Sequence, residues 1–397
     1  MEMMRKTTLF LLCLIGILPA TAADDGVWPT LTGLVRQVGT FVDSMAVKGL
    51  DRRYIEAPKK PWQVILRGNI NQSDLKLSST LPHAEEFFDE FMQGEMKWEP
   101  RVKTEPATYA GFWAGYRGYG FGYSWNVGGD KGRILTFGAT GGSYGVNLRI
   151  HWFDNDAPEI NIVGNALTDY ADDGTYLYSP FTFSEELGIG SPIKTRALFL
   201  DGYYLLNGKK CSYAAAYDQS VIQKRSAGSL MVGAMYFYST TKYDADSNAD
   251  LILMMNDIGC FRSWQASAGA GYIYNWVPVK GLLISGMAIP MFTFYNHYKE
   301  WRYDSNLKDR VMKEGINALF DMEEEDYIIR PAVQNAEVSG TPNVKINFDA
   351  RLSVTYEWKQ RYFINAFGQF SNFKYDLDNL SGRLNDWYVN VSLGIRL

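Results

Sequence analysis

The chain has 397 residues, of which 15% are aromatic and 37 are glycine, and its formal net charge is −5. This composition favours β structure with many tight turns, and the absence of a local Lys/Arg cluster removes the electrostatic case for nucleic-acid binding. Beyond the N-terminus no stretch approaches the ~20 apolar residues of a spanning helix, which excludes a helical membrane protein.

The first 23 residues have the pattern of a secretory signal peptide. Arg5 and Lys6 give the basic start, residues 9–18 the apolar core and residues 20–22 the small-residue cleavage site. Such a signal peptide would direct the chain out of the cytoplasm and then be cleaved off. Residues 24–56 are then expected to form a periplasmic helix and linker, because apolar residues recur at helical spacing over 30–48.

Most of the chain from residue 57 to 397 alternates apolar and polar residues. From Val344 to Trp358 every second residue is apolar, and the residues between are polar or charged. A period of two indicates a strand with one apolar and one polar face. Thirteen segments are candidate strands: 62–71, 107–117, 118–126, 131–140, 143–153, 193–206, 211–219, 227–239, 264–277, 279–295, 344–358, 361–374 and 387–397.

The length of these strands favours a membrane barrel over a soluble sandwich, because a transmembrane strand needs about nine to eleven residues. From Trp264 to Trp276 the chain would extend about 40 Å at ~3.3 Å per residue. Tilted by roughly 40°, this places the two aromatic ends near the two membrane interfaces. We therefore predict an all-β fold, a transmembrane antiparallel outer-membrane β-barrel with a short N-terminal amphipathic helix.

The expected number of strands is about twelve, in the range 12–14. A closed barrel of one bacterial chain has an even number of strands, so one of the thirteen candidates must be wrong. Long loops are expected near 73–106, 154–192, 240–262 and 297–342, where the alternation is interrupted.

The polar faces of the strands predict which side chains line the lumen. Two further candidates, Gln219 and Gln223, lie in a polar cluster around one inter-strand connection. Opposite charges on these faces could pair and fill the barrel, or they could line a pore. The remaining candidates are Arg67, Asn69, Arg149, His151, Lys345, Asp349, Arg351, Glu357 and Arg396.

The stretch Tyr203 to Gly233, YYLLNGKKCSYAAAYDQSVIQKRSAGSLMVG, resembles the signature region of the domain of unknown function 4421 family. Two shorter stretches agree with this resemblance, LDRRYIE at 50–56 and GYIYNW at 271–276. The resemblance implies a secreted, strand-rich envelope protein of a Gram-negative bacterium. It implies no reaction and no ligand.

Side chains that carry chemistry are sparse. The three histidines, His83, His151 and His297, are far apart in sequence, and no Cys/His cluster exists. The stretch 244–250, DADSNAD, matches only the first ligand positions of a calcium loop and is interpreted as a hydrated acidic loop. We expect no metal and no cofactor, while Cys211 and Cys260 leave one disulfide possible.

The polar lumen favours a channel or transporter for small solutes. A non-transporting barrel with a structural, adhesive or assembly role is the alternative. A lipid-modifying enzyme is the least favoured reading, because His151 shares the polar face with Arg149, away from lipid. The expected location is the outer membrane, and the expected partners are outer-membrane lipid, the barrel-assembly machinery and small solutes, without nucleic acid.

Overall fold

The computed structural model describes residues 49–81, 92–104, 106–129, 131–155, 158–186, 191–242, 258–314, 318, 323–338, 345–377 and 380–397. The expected signal peptide, the expected helix over 30–48 and the acidic stretch 244–250 lie outside these residues. Within the described ranges, no helix is both long enough and apolar enough to cross a bilayer.

The described residues form strands almost throughout. Two α-helices, α1 (Tyr213–Tyr217) and α2 (Asn306–Glu314), and a 3₁₀ helix at Glu324–Tyr327 complete them. The strands are β1 (Ile55–Glu56), β2 (Trp62–Leu81), β3 (Met92–Lys103), β4 (Ala107–Tyr116), β5 (Tyr119–Gly128), β6 (Arg133–Thr140), β7 (Tyr144–Asn155), β8 (Pro158–Tyr170), β9 (Tyr176–Glu186), β10 (Ile193–Leu205), β11 (Ile222–Gln223), β12 (Ala227–Lys242), β13 (Ile258–Trp276), β14 (Leu282–Ser305), β15 (Ile329–Val338), β16 (Lys345–Trp358), β17 (Tyr362–Leu377) and β18 (Leu380–Arg396).

Twelve antiparallel strands close into a barrel. The order around the wall is β2-β4-β5-β6-β7-β10-β12-β13-β14-β16-β17-β18, and β18 returns to pair with β2. The closing register runs from Leu380 opposite Ser79 to Arg396 opposite Gln63. The all-β barrel and its expected count of about twelve strands are confirmed.

The thirteenth candidate strand, 211–219, is wrong, because this stretch contains α1. The side chain of Ser212 caps the helix by accepting a hydrogen bond from the Ala215 amide at 3.1 Å, and three consecutive alanines favour helix. Residues Tyr213–Ala216 are all buried. A helix buried all round shows no apolar stripe at helical spacing, so the sequence did not reveal it.

Several segments expected as long loops contain further strands. β2 continues to Leu81 and pairs with β3, which pairs with β8, which pairs with β9. Likewise β14 extends to Ser305 and pairs with β15. Residues 243–257, within the loop expected near 240–262, lie outside the described residues.

The two faces of the wall differ as the alternation in β16 predicts. Its outward residues are exposed, with Leu352 at 60%, whereas Asp349 on the inward face is at 0%. The barrel has a short-turn end, defined by the connections 117–118, 141–143, 277–281 and 359–361. The first residue of β2 and the last residue of the chain also lie there, because the Leu397 amide donates to the Trp62 carbonyl at 2.9 Å.

Candidate functional site: the plugged lumen

One connection at the short-turn end is long and folds into the barrel. This segment, residues 206–226 between β10 and β12, is called the plug. It contains α1, and most of its residues from Cys211 to Gln223 are buried. The other connections at this end are short turns, so the plug is the feature that closes the lumen here.

Side chains on eight of the twelve barrel strands hydrogen-bond to the plug. Several of these bonds end on plug backbone carbonyls, so they fix the path of the chain as well as its side chains. Four side chains donate to plug carbonyls: Gln63 and Arg396 to Gln219 (2.6 and 2.8 Å), Ser353 to Ala216 (2.6 Å) and Asn275 to Ser212 (2.9 Å). Others bond to plug side chains or to a plug amide: Thr140 to the Asp218 carboxylate (2.9 Å), Asn147 and Arg351 to the Tyr213 hydroxyl (2.8 and 2.6 Å), Ser285 to the Tyr217 hydroxyl (3.5 Å), and Ser229, which accepts from the Asn207 amide (2.8 Å).

Arg351 is the centre of the contact between plug and wall. The Arg351 cluster comprises Arg351, Asp201, Asp349, Tyr203 and Tyr213. The guanidinium lies 2.9 Å from the Asp201 carboxylate and 3.2 Å from that of Asp349, and it donates to the Tyr203 hydroxyl at 2.8 Å. Its side chain is only 3% exposed. Two buried carboxylates thus share one buried cation, which also holds the plug through Tyr213.

The wall is shaped to receive Tyr213. At Gly145 on β7, an added Cβ would lie 2.2 Å from a carbon of the Tyr213 ring, well inside van der Waals contact. The Tyr213 ring stacks on Tyr203, with 5.5 Å between the ring centroids. Glycine at 145 is therefore required for the close approach of the plug to the wall.

The chain before the barrel covers the outer side of the plug. This segment, residues 49–61, is called the clamp. Its strand β1 pairs with β11 of the plug, Ile55 opposite Gln223, and the Lys224 amide donates to the Tyr54 carbonyl at 2.7 Å. Ile55 is 1% exposed and belongs to an apolar cluster with Ala214, Ala215, Val221 and Leu283, among others.

Between plug and wall lies a cavity of about 110 Å³. Charged side chains of both signs line it, including Arg67, Arg149, Asp201, Asp218 and Arg351. A water molecule occupies about 30 Å³ in the liquid, so this space has the size and the polar lining to hold several waters.

The lumen beyond the plug is filled by two kinds of contact. Arg149 is ion-paired with Asp386 and lies over the rings of Phe199 (4.2 Å) and Tyr388 (5.2 Å). Between β10–β14 and the facing strands β17 and β18, an apolar cluster packs together instead. Its members include Phe199, Met235, Phe237, Met291 and Phe373.

Four predicted lumen residues lie on β2 and β7, with their polar groups inside the barrel. Asn69 is 1% exposed and donates to Ser124 at 2.9 Å, while Arg67 lies over the Trp113 ring at 5.5 Å and donates to Thr136 at 3.4 Å. His151 is 2% exposed and contacts the Tyr109 hydroxyl at 2.9 Å. Arg149 completes the group.

The other predicted residues on the wall fall into three places. Asp349 and Arg351 meet in the Arg351 cluster, and Lys345 is half-buried at the far end of the same strand. Glu357 and Arg396 form an ion pair of 2.6 Å at the short-turn end.

Gln219 and Gln223 are buried within the plug itself. The Gln223 side chain bonds to the Ser212 amide at 3.1 Å and to the carbonyls of Lys210 and Arg225 at 2.6 and 2.9 Å. Gln223 therefore holds the loop to itself rather than facing a solute path.

Sequence reasoning missed Asp201, Tyr203, Tyr213 and Asp218. Asp201 could have been found, because a carboxylate between apolar neighbours in the middle of a strand signals a buried partner. Tyr213 and Asp218 could not, since the segment that carries them was interpreted as a strand.

The two cysteines among the described residues, Cys211 and Cys260, are free and lie at opposite ends of the barrel. Cys211 is in the plug, which Asn275 contacts near the end of β13, whereas Cys260 lies near the start of the same strand. Fifteen residues of strand separate Asn275 from Cys260, about 50 Å at ~3.3 Å per residue. A disulfide needs Cα atoms within about 7 Å, so this fold does not permit the pair.

A closed twelve-stranded barrel with an exposed apolar outer face and a polar, plugged lumen defines an outer-membrane β-barrel. The chain belongs to the family described as Domain of unknown function (DUF4421), whose model matches residues 50–395. No curated protein matches the chain at a significant level.

Solved outer-membrane structures resemble the chain only distantly. The outer membrane protease OmpT from Escherichia coli is 8% identical with a TM-score of 0.35, covering 86% of this chain and 97% of its own. The translocator domain of the autotransporter NalP from Neisseria meningitidis is 10% identical with a TM-score of 0.31, covering 91% and 96%. The toluene transporter TodX from P. putida is 9% identical with a TM-score of 0.28, covering 86% and 91%. The class of the protein therefore rests on its own barrel.

Proposed function

We propose that this protein is a gated channel for small polar solutes, closed by its plug in the conformation described. The observation that supports this is the nature of the contact between plug and wall. It is made of hydrogen bonds to plug backbone carbonyls and plug side chains, around a cavity lined by charges of both signs. Water can replace the neutral bonds among them, which contribute only about 0.5–1.5 kcal/mol each net. On this proposal, the plug moves aside while the barrel stays folded.

The orientation follows from the connections. In outer-membrane barrels the short turns face the periplasm and the longer loops face outward. On that basis the plug and the clamp lie at the periplasmic end, and a solute entering from outside would reach the charged residues above the plug first.

A non-transporting barrel is the second candidate, and the apolar cluster in the lumen favours it. Phe199, Phe237 and Phe373 pack on each other, with ring centroids 4.7–6.0 Å apart. If this cluster closes the lumen by itself, removing the plug would leave no continuous water path.

Single-channel recording of a plugless variant separates the two candidates. The Leu206 amide donates to the Leu230 carbonyl at 3.0 Å, so replacing residues 207–229 by Asn-Gly closes β10 and β12 with a two-residue turn. A gated channel predicts steady conductance from the plugless barrel, together with brief openings of the same size in the wild type. Silence from a plugless barrel that shows the mobility shift of a folded barrel on an unheated gel would reject the channel and support the second candidate.

A further inference from the structure

The short-turn end carries a concentration of positive charge that only the fold assembles. Four of its connections, 57–61, 117–118, 277–281 and 359–361, contain six Lys and Arg residues and no Asp or Glu. These six are called the basic rim: Lys59, Lys60, Arg117, Lys280, Lys359 and Arg361. In sequence they are spread over some 300 residues, so no local cluster announces them.

The plug and the clamp add to this charge. Segments 49–61 and 206–226 and the short turns, which are all described residues, together contain twelve Lys and Arg. They contain only three carboxylates, namely Asp51, Glu56 and the buried Asp218. The rest of the sequence holds the other 27 Lys and Arg against 41 Asp and Glu. The positive end therefore belongs to a chain that is otherwise strongly acidic.

The basic rim lies at the depth of a membrane interface. Exposed aromatic side chains on the outer wall flank it in sequence, with Trp62 two residues after Lys60, Trp276 four residues before Lys280 and Trp358 directly before Lys359. These tryptophans are 56%, 50% and 39% exposed. Aromatic belts of this kind sit at the level of lipid headgroups, which places the neighbouring cations at the same level.

The basic rim also follows the circumference instead of covering one flat patch. Its turns join β4 to β5, β13 to β14 and β16 to β17, and its first two lysines precede β2. In the barrel order these strands belong to one continuous arc from β13 through β18 and β2 to β5. An arc of cations on the lipid-facing edge matches a ring of surrounding lipids better than a single soluble partner.

We propose that the basic rim binds the phosphate groups of anionic phospholipids in the leaflet at the short-turn end. Ammonium and guanidinium groups pair with phosphate through charge-assisted hydrogen bonds. Basic residues next to an anionic membrane surface each strengthen the attraction on the order of fivefold in binding constant. The surface thus selects phosphatidylglycerol over zwitterionic lipids of the same leaflet.

The test measures which lipids stay with the barrel. The full mature chain is reconstituted in vesicles of equal parts phosphatidylcholine and phosphatidylglycerol and extracted in mild detergent, and the retained lipids are quantified by mass spectrometry. The rim variant K59Q/K60Q/K280Q/K359Q removes four exposed lysines that take no part in plug contacts. The control variant K103Q/K131Q/K194Q/K242Q makes the same charge change at four exposed lysines toward the opposite end. Unheated gel mobility verifies that each variant is folded.

We expect the wild type and the control to retain several-fold more phosphatidylglycerol than phosphatidylcholine, and the rim variant to retain the two lipids in nearly equal amounts. Salt at about 0.5 M should weaken the preference, because it shortens the screening length to ~4 Å. Equal retention of both lipids by the wild type, or equal losses in the two variants, overturns the proposal. Complete displacement of the lipid by inorganic phosphate would identify the rim as a free-phosphate site and would overturn it too.

Discussion

Replacing Arg351 by methionine tests whether the buried ion pairs of the Arg351 cluster stabilise the plugged barrel. The substitution keeps an unbranched side chain but removes the cation between Asp201 and Asp349, which lie 2.9 and 3.2 Å from it. Breaking a buried ion pair by removing one partner costs about 3–5 kcal/mol, since the remaining charge is left buried. Three donors still reach Asp349, from Tyr203, Gln369 and Ser371. We therefore expect Arg351→Met to lower the free energy of unfolding by an amount near the lower end of that range.

Arg67→Met provides the matched control for Arg351→Met. Arg67 also points into the lumen, but its contacts are a 3.4 Å hydrogen bond to Thr136 and the Trp113 ring at 5.5 Å. These are worth about 1–2 kcal/mol together. The double variant D201N/R351M should recover part of the stability lost in Arg351→Met, because it removes one of the two carboxylates left without a cation.

The assay is urea unfolding of the detergent-reconstituted barrel, followed by tryptophan fluorescence and by unheated gel mobility. A loss of less than about 1 kcal/mol in the free energy of unfolding for Arg351→Met, or a loss equal to that of Arg67→Met, would refute the assignment of the Arg351 cluster as an ion-pair centre that stabilises the plugged barrel. A loss with no recovery in D201N/R351M would show that packing, rather than charge, carries the effect.

Three further predictions concern access to the plug, and each is measured by thiol labelling of Cys211 in a Cys260→Ser background. Burial raises the pKa of the Cys211 thiol to about 12. The labelling rate at pH 8 should therefore be far below that of an ordinary thiol, and it should rise about tenfold per pH unit from pH 7 to 10. A labelling rate that does not change with pH contradicts this. Gly145→Ala should speed labelling at pH 8 because its Cβ meets the Tyr213 ring at 2.2 Å, while Gly138→Ala, whose Cβ comes no nearer than 4.0 Å to Asn147, should not; equal rates reject the steric fit. Ile55→Ala should weaken the packing of the clamp on the plug by about 2–5 kcal/mol. Labelling of Cys211 should then be faster, while the heat-dependent gel mobility of the barrel stays unchanged. Loss of the folded barrel form would show instead that the clamp stabilises the barrel itself.

The sequence predicts the wall well, because one physical rule governs it. On β16 the inward residues Asp349 and Arg351 and the outward residues Phe348 and Leu352 follow strictly from a period of two, and the structure has the same faces. The barrel class and its size follow from repeating this argument along the chain. Strand ends that extend beyond the barrel, such as the outer part of β2, could not be predicted. There the strand no longer has one face in a uniform apolar environment, so the period of two is lost.

The lumen contacts could not be predicted, because their partners are distant in sequence. Arg351 meets Asp201 from β10 and Tyr213 from the plug, each more than 130 residues away. The alternation tells which face Arg351 occupies, and it carries no information on which strand lies across the barrel. Only closure of the wall and entry of the plug bring the members of the Arg351 cluster together.

The plug makes up most of the stretch, Tyr203 to Gly233, that resembles the signature region of the family. A barrel interior can be filled by many combinations of apolar side chains, since volume and polarity are the main requirements. The plug is constrained residue by residue instead. Ser212 caps α1, and the Gln223 side chain hydrogen-bonds to three backbone groups. Gln219 adopts a positive φ of 56°, and its carbonyl accepts hydrogen bonds from the side chains of Gln63 and Arg396. A chain that needed only to seal its lumen would not require such specific contacts, and this favours a plug whose position, and not merely its presence, matters to the function.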